Sequence, residues 1–309
     1  MKSIKLNVFI LLFAAALLCI PSILLAKTEE KIEQVYSLNR DGKVYLENVS
    51  GNIVIKSWGK NEVKILARKV AKNEESLDKV TVDINQTDDN IRIITKYEKT
   101  WGFLQSVDAS VDYDLFIPDR AHLRVKSVSG GIEALNIGGP VDVETVSGKI
   151  DIVKAGTGVK CRSISGSLYL QDITGDTSLK STSGKITVEG VKGSVEANSV
   201  SGSVNINGVS TAEEIDVESI SGSIKLEGKL SPGGIYEFKT ISGSIRLDLP
   251  PESDFELQAN TMSGNLRLDG DNFEVKSLDI LTNKKIQCVV GKGGASLKVS
   301  SLSGGITIK

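Results

Sequence analysis

One histidine, His122, stands in this chain of 309 residues, and the carboxylates a fold could gather with it are Asp108, Asp112 and Asp114. A histidine and acids gathered in one pocket could carry general acid–base chemistry, the kind a carbohydrate-cleaving β-helix performs in a cleft. The segment Pro118 to Val125 alternates polar and apolar residues and sets His122 on its polar side, where an exposed strand residue belongs. No Cys/His or His/His spacing suits zinc, so neither a metal nor a cofactor is expected. The run Gly291-Lys292-Gly293-Gly294 does not lead from a strand into a helix, as a phosphate-cradling loop would, and it lacks the aspartates of a calcium-binding repeat. Trp101, Phe103 and Leu104 lie between two polar runs. Aromatic and aliphatic side chains at a loop tip could touch a glycan or a lipid headgroup; the competing reading is a loop folded back on the domain.

These residues need a scaffold, and the scaffold is written in a repeat. Ten Ser-Gly pairs recur inside the pattern Ser/Thr, apolar, Ser, Gly, any residue, aliphatic, polar, apolar. They are Ser50-Gly51, Ser129-Gly130, Ser147-Gly148, Ser165-Gly166, Ser183-Gly184, Ser201-Gly202, Ser221-Gly222, Ser242-Gly243, Ser263-Gly264 and Ser303-Gly304. From Gly130 to Gly202 the step is 18 residues four times running, and it then becomes 20, 21, 21 and 40. A fixed period of this size means one supersecondary unit stacked on copies of itself.

Each repeat holds two short alternating runs, for example Val141/Val143 before a Ser-Gly and Ile150/Ile152 after it. Period-two patterning with β-branched residues reads as half-buried strands. Eighteen residues cannot hold two strands and a helical crossover, so the chain must coil once per repeat, with equivalent strands pairing in parallel. The expected fold is an all-β parallel solenoid of about 18–21 residues per coil with an irregular N-terminal β segment. Counted from Ser163, the incoming apolar residues fall on odd positions and the outgoing ones on even positions. The Ser-Gly step must therefore shift the parity, and glycine tolerates the backbone angles such a corner needs. A second corner is expected at Gly139, Gly175 and Gly193.

Stacking of coils implies columns on the surface. Asp142 and Glu144 should lie beside Lys160 and Arg162; Lys225, Arg246 and Arg267 should form one column, with Glu227, Asp248 and Asp269 beside it. Opposite charges across strands fix register at ~0.2–1 kcal/mol per pair. The Ser/Thr hydroxyls at the corners are expected to bond between coils rather than to form a flat ice-binding face. In the 40-residue gap, Thr282-Asn283-Lys284 stands where a Ser-Gly corner would be, and asparagine could preserve that corner.

Residues 1–26 read as a secretory signal peptide ending near Ala26: Lys2 and Lys5 precede an apolar run, and Lys27-Thr28-Glu29-Glu30 turns polar. An uncleaved anchor is the alternative, and Leu18 opposes a lipoprotein reading at Cys19. Either way the chain is expected to be exported, to the periplasm, cell surface or exterior. Residues 27–122 read as an N-terminal β segment with the first repeat and longer strands, Lys69 to Lys79 as a loop or short helix, and 123–309 as the regular array continuous with it. Setting Lys2 and Lys5 aside leaves 35 basic against 39 acidic residues, which argues against a nucleic-acid partner. Cys161 and Cys288 sit in apolar alternations several coils apart, beyond the reach of a disulfide. The array ends on Ile306-Thr307-Ile308-Lys309 with no cap after it, so this C-terminal edge is expected to meet a partner or to form a weak homodimer.

The stretches LENVSGNIVIKSWGKNEVKILARK and VDYDLFIPDRAHLRVKSVSG, together with the repeated VSG-x-I-x-I units, resemble the putative-adhesin β-strand-repeat family of bacterial envelope proteins, over residues 35 to 309. The resemblance implies an exported, non-catalytic β-solenoid and names no ligand. The function expected is a structural or binding module at the cell envelope, its partner an envelope protein or a glycan. The alternatives are an envelope-stress or signalling component acting through protein contacts, and, from another class, a carbohydrate-active β-helix enzyme.

Overall fold

A computed structural model describes residues 27–98, 108–208, 211–269, 275–282 and 284–309. Two sheets enclose one apolar core. Strands that lead into a Ser-Gly pair build most of a 14-stranded sheet, here the incoming sheet; strands that leave it build most of a 13-stranded one, the outgoing sheet. Through the regular array every coil adds one strand to each. Val141–Ser147 pairs in parallel with Val159–Ser163, with Val143 beside Cys161 and Glu144 beside Arg162. Ile150–Ala155 pairs likewise with Leu168–Thr174. The fold is an all-β solenoid, and its interior is a set of Ile, Val and Leu ladders, widening at the C-terminal end to Tyr236, Phe238 and Phe255.

A coil of 18 residues, an even number, must contain an even number of parity shifts if each residue is to stack on its equivalent. One lies at the Ser-Gly corner, between buried Thr145 and buried Ile150. The second lies inside the outgoing strands, where Ile132 and Ala134 are buried but Ile137 is the next inward residue. It is made by residues in the left-handed region at the same place in successive coils: Asn136 (φ 58°), Lys154 (61°), Asp172 (55°), Gly190 (67°) and Gly208 (69°). Asn and Asp tolerate this region better than other side-chain-bearing residues, so the bulge is encoded without a fixed glycine and is hard to see as a motif.

The glycines of the corners serve two needs. At Gly51, Gly130 and Gly148 φ is +116°, +116° and +140°, a conformation that suits glycine. From Gly166 onward no left-handed φ is involved, which corrects the expectation that the backbone angle is the reason at every corner. Distance is the reason there: a Cβ on Gly184 would lie 1.9 Å from the carbonyl oxygen of Gly166, and one on Gly202 1.9 Å from that of Gly184. The corner glycines form a column, each resting on the peptide of the coil before.

Both ends of the array depart from simple stacking. At the N-terminal end Lys43–Ser50 and Ile53–Trp58 form the first coil and pair directly with His122–Ser129 and Ile132–Ile137. The residues between are inserted outward. Glu62–Ala71 runs antiparallel to both Thr28–Ser37 and Ala109–Pro118, and Val80–Thr87 antiparallel to Asn90–Tyr97. A short helix, Glu74–Asp78, joins two of these strands, its N-terminus capped by the Asn73 side chain, which accepts from the Ser76 N–H at 2.9 Å.

At the other end the last coil is not the edge. Ala295–Ser301 pairs with Ile235–Thr240 on one side and Phe255–Thr261 on the other, and Ile306–Ile308 lies between Ile245–Asp248 and Leu266–Leu268. The chain closes by inserting its final coil between the two preceding ones, so the spatial order of corners is Gly243, Gly304, Gly264. The expected C-terminal edge therefore does not exist at Ile306–Ile308. Arg246 and Arg267 are separated by Thr307 rather than adjacent. The segment around Thr282 is no coil either: Val275–Thr282 and Lys285–Val290 form an antiparallel hairpin on the flank of Phe255–Thr261.

Candidate functional site

The chemistry-bearing residues do not converge. His122 is exposed at the start of an incoming strand, while Asp112 and Asp114 lie on the inserted strand Ala109–Pro118 of the outgoing sheet, so they belong to different sheets. Asp112 is occupied, accepting from Arg68 at 2.8 Å and from the Asn52 backbone N–H at 2.8 Å; Asp108 is exposed at the foot of that strand. Among the described residues no cluster of three His, Cys, Asp or Glu side chains could hold a metal ion. Cys161 and Cys288 are free and buried, and burial pushes both thiols up. In the glycine run, the Lys292 N–H donates to Asp254 at 2.7 Å, tying the loop to the start of the strand Phe255–Thr261. Trp101, Phe103 and Leu104 lie outside the described residues.

What the structure does bring together is the repeated motif. Its first Ser or Thr points inward beneath the corner, and its hydroxyl accepts from the glycine N–H three residues on: Ser163 from Gly166 at 2.7 Å, Ser181 from Gly184 at 2.9 Å, Ser219 from Gly222 at 2.9 Å. Thr240, Thr261 and Ser301 repeat this at 3.0, 3.0 and 2.8 Å. These six bonds stay within a coil, and Ser127, Thr145 and Ser199 donate to carbonyls of their own corner. Local caps thus largely replace the expected coil-to-coil ladder, of which Thr261 donating to the Gly304 carbonyl and Ser244 to the Ser223 hydroxyl, both at 3.2 Å, are examples. The reason is geometric: the glycine N–H turns inward at the corner and would otherwise be a buried donor without an acceptor.

The second residue of the motif faces outward. Val49, Val128, Val146 and Ile164 form a column that continues through Thr182 to Val200, Ile220 and Ile241, and then to Leu302 and Met262. The nine aliphatic and methionine side chains are 38% to 66% exposed. A groove of about 990 Å³ follows the column over eight coils, from Val49 to Ile241. Its floor is the capped hydroxyl row, and its far wall is the last outward column of the incoming sheet: Glu47, Lys126, Glu144, Arg162, then Lys180, Asn198, Glu218 and Lys239.

That wall carries both signs of charge and is partly self-paired. Glu144 meets Arg162 at 2.6 Å and Lys126 at 3.2 Å, and Lys239 meets Glu218 at 3.3 Å. Partial burial works against ionisation of Glu144, but Lys126, Arg162 and Arg124 outweigh it and hold the carboxyl below its ordinary value. One column further out, Glu196, Asp216 and Glu237 stack directly. Burial, then the surrounding acids, raise the Asp216 carboxyl, and its buried Oδ1 has no hydrogen-bond partner.

The outward residue was legible in the motif as the apolar position between two serines, but strand alternation gave no reason to assign it a face. A hydrophobic residue repeated outside the inward alternation is the mark that could have found the stripe.

Residues 42–309 match the family described as Toastrack DUF4097, and the chain belongs to that family. Among solved structures it is similar to a putative cell adhesion protein from Clostridium sporogenes ATCC 15579, at 11% identity and TM-score 0.27, covering 91% of this chain and 99% of that one. It is also similar to a putative adhesin from Bacteroides fragilis NCTC 9343, at 18% identity and TM-score 0.46, covering 71% of this chain and 97% of that one. No curated protein matches it. No helix of the described residues is long and apolar enough to cross a membrane.

Proposed function

We propose that this protein is an exported, non-catalytic, adhesin-like module of the bacterial cell envelope, a rigid rod that acts by presenting its corner stripe to a partner. The observation that carries this reading is the stripe. Folding needs the inward ladders, the glycine column and the hydroxyl caps; it does not need an aliphatic side chain outside the corner, where Thr182 serves the coil equally well. An apolar patch of this kind, interrupted at Thr182, marks an interaction surface. The apolar run Leu6 to Ala26 supports export.

The test has two parts. Residues 1–26 fused to a reporter active only outside the cytoplasm should give signal. Purified residues 27–309 should be retained by envelope protein and glycan fractions of the source cell, and a variant carrying Ile164→Lys and Val200→Lys should not, while both remain inactive on a panel of glycans and esters. Turnover by the wild type, or retention unchanged by the stripe substitutions, would overturn the reading.

A further inference from the structure

We infer that the stripe is a self-association surface: two copies of this chain pair face to face and antiparallel along their corner grooves. The inference deepens the reading above and rests on the stripe being a contact surface. It names a second copy as the partner and moves self-association away from the chain end.

The first reason is period. Stripe residues repeat with the strand spacing, about 4.8 Å, over some 34 Å from Val49 to Ile241. A helix laid along the groove advances about 5.4 Å per turn and falls out of step by nearly one coil over that length. An extended peptide shows one face every ~6.8 Å and loses register sooner. Another stack of parallel coils has the same period and stays in step along the whole groove.

The second reason is charge. An antiparallel two-fold lying across the groove brings the charged walls of the two copies opposite one another. Centred between the Arg162 and Lys180 coils, it sets Glu47 against Lys239 and Lys126 against Glu218, each pair occurring twice by symmetry. Val49 then meets Ile241, and Val128 meets Ile220. The central Arg162 and Lys180 are of like sign, but each is already held in its own chain, by Glu144 at 2.6 Å and by Glu196 at 3.4 Å. Slipping one coil either way sets Glu47 on Glu218 or Lys126 on Lys239, so the central register is complementary at its outer positions where its two immediate neighbours are not. A face three columns wide and about 34 Å long buries less than the ~1,200–2,000 Å² of a standard stable interface, so association is weak and concentration-dependent.

Sedimentation of residues 27–309 from low micromolar to submillimolar concentration should show a monomer–dimer equilibrium. Ile220→Lys should weaken it by about tenfold or more, with an unchanged circular dichroism spectrum and melt. Glu47→Lys alone should weaken it, Lys239→Glu alone should weaken it, and the two in one chain should restore it, because residue 47 faces residue 239 of the other copy. A monomer at every concentration overturns the inference, as does a dimer indifferent to Ile220→Lys. Failure of the double charge swap to rescue overturns the antiparallel register and with it the inference. Loss of envelope retention in the stripe variants of a strictly monomeric protein would leave the contact-surface reading standing while this inference falls. A dimer with no envelope retention would leave this inference standing while the envelope partner of the reading above falls.

Discussion

Contact distance, more than backbone angle, explains why glycine recurs at the corners. With 1.9 Å between a notional Cβ on Gly184 and the Gly166 carbonyl oxygen, an added methyl has backbone in its way, and two coils would have to part to admit it. Gly184→Ala is expected to cost at least the ~1–3 kcal/mol of an overpacked site. Gly59→Ala, with nothing within 4 Å, should stay within about 0.5 kcal/mol of wild type, both measured by denaturant unfolding. The Asp216 carboxyl gives a test of opposite sign. Its folded-state pKa is raised above the ordinary 3.8, so the unfolded chain releases the proton first and stability falls as pH rises through that window. Asp216→Asn removes a penalty present at neutral pH. It should raise the neutral-pH melting temperature by an amount worth less than ~1 kcal/mol, given how exposed the group is, and the gain should vanish below about pH 3.8.

At the scale of strands and coils, the alternation of Val141/Val143 with Ile150/Ile152 was sufficient to give two strands per repeat and the parity shift between them, because burial on one face leaves a period-two trace. The compensating shift at Asn136, Lys154 and Asp172 left no such trace, since three different residue types adopt one left-handed conformation there. Coil order was also invisible. A strand's sequence states that it pairs in parallel with its like, not which of its equals it lies between, and Ile306–Ile308 carries the same pattern whether it is last or inserted. The insertion has a consequence that terminal stacking would not. Ending the chain at Gly294 removes Ala295–Ser301 and Ile306–Ile308 from between their neighbours, leaving Phe255–Thr261 and Leu266–Leu268 without their pairing to the array. Hydrogen exchange should then show loss of protection across residues 255–268 as well. Were the last coil terminal, protection there would persist.

The whole molecule is a stack in which each coil of the regular array meets only its two neighbours; antiparallel strands close the N-terminal end of both sheets and the C-terminal end of the incoming sheet, while the outgoing sheet ends on the parallel strand Leu266–Leu268. At one end Thr28–Ser37 and Glu62–Ala71 extend the outgoing sheet and Val80–Thr87 with Asn90–Tyr97 the incoming sheet, and the hairpin Val275–Thr282 with Lys285–Val290 flanks the other end of the incoming sheet. Such caps keep the open edges of a solenoid from recruiting further strands. If the interior coils are equivalent, one can be removed whole. Deleting residues 166–183 joins Ser165 to Gly184, sets Gly184 on the Gly148 peptide, and lets Ile186–Lys192 pair with Ile150–Ala155 while Val195–Ser199 pairs with Val159–Ser163. The shortened chain should fold and melt cooperatively, with a melting temperature lowered by only a few degrees, about 2–4 °C for each kcal/mol lost at this size. Deleting residues 166–174 alone removes an outgoing strand and keeps its incoming partner Thr177–Ser181, which no coil can then close around. That strand must be extruded with Leu179 in water, and the melt should fall further and broaden even though half as many residues are lost. Equal melting temperatures for the two deletions would show that the coil is not the unit of stability.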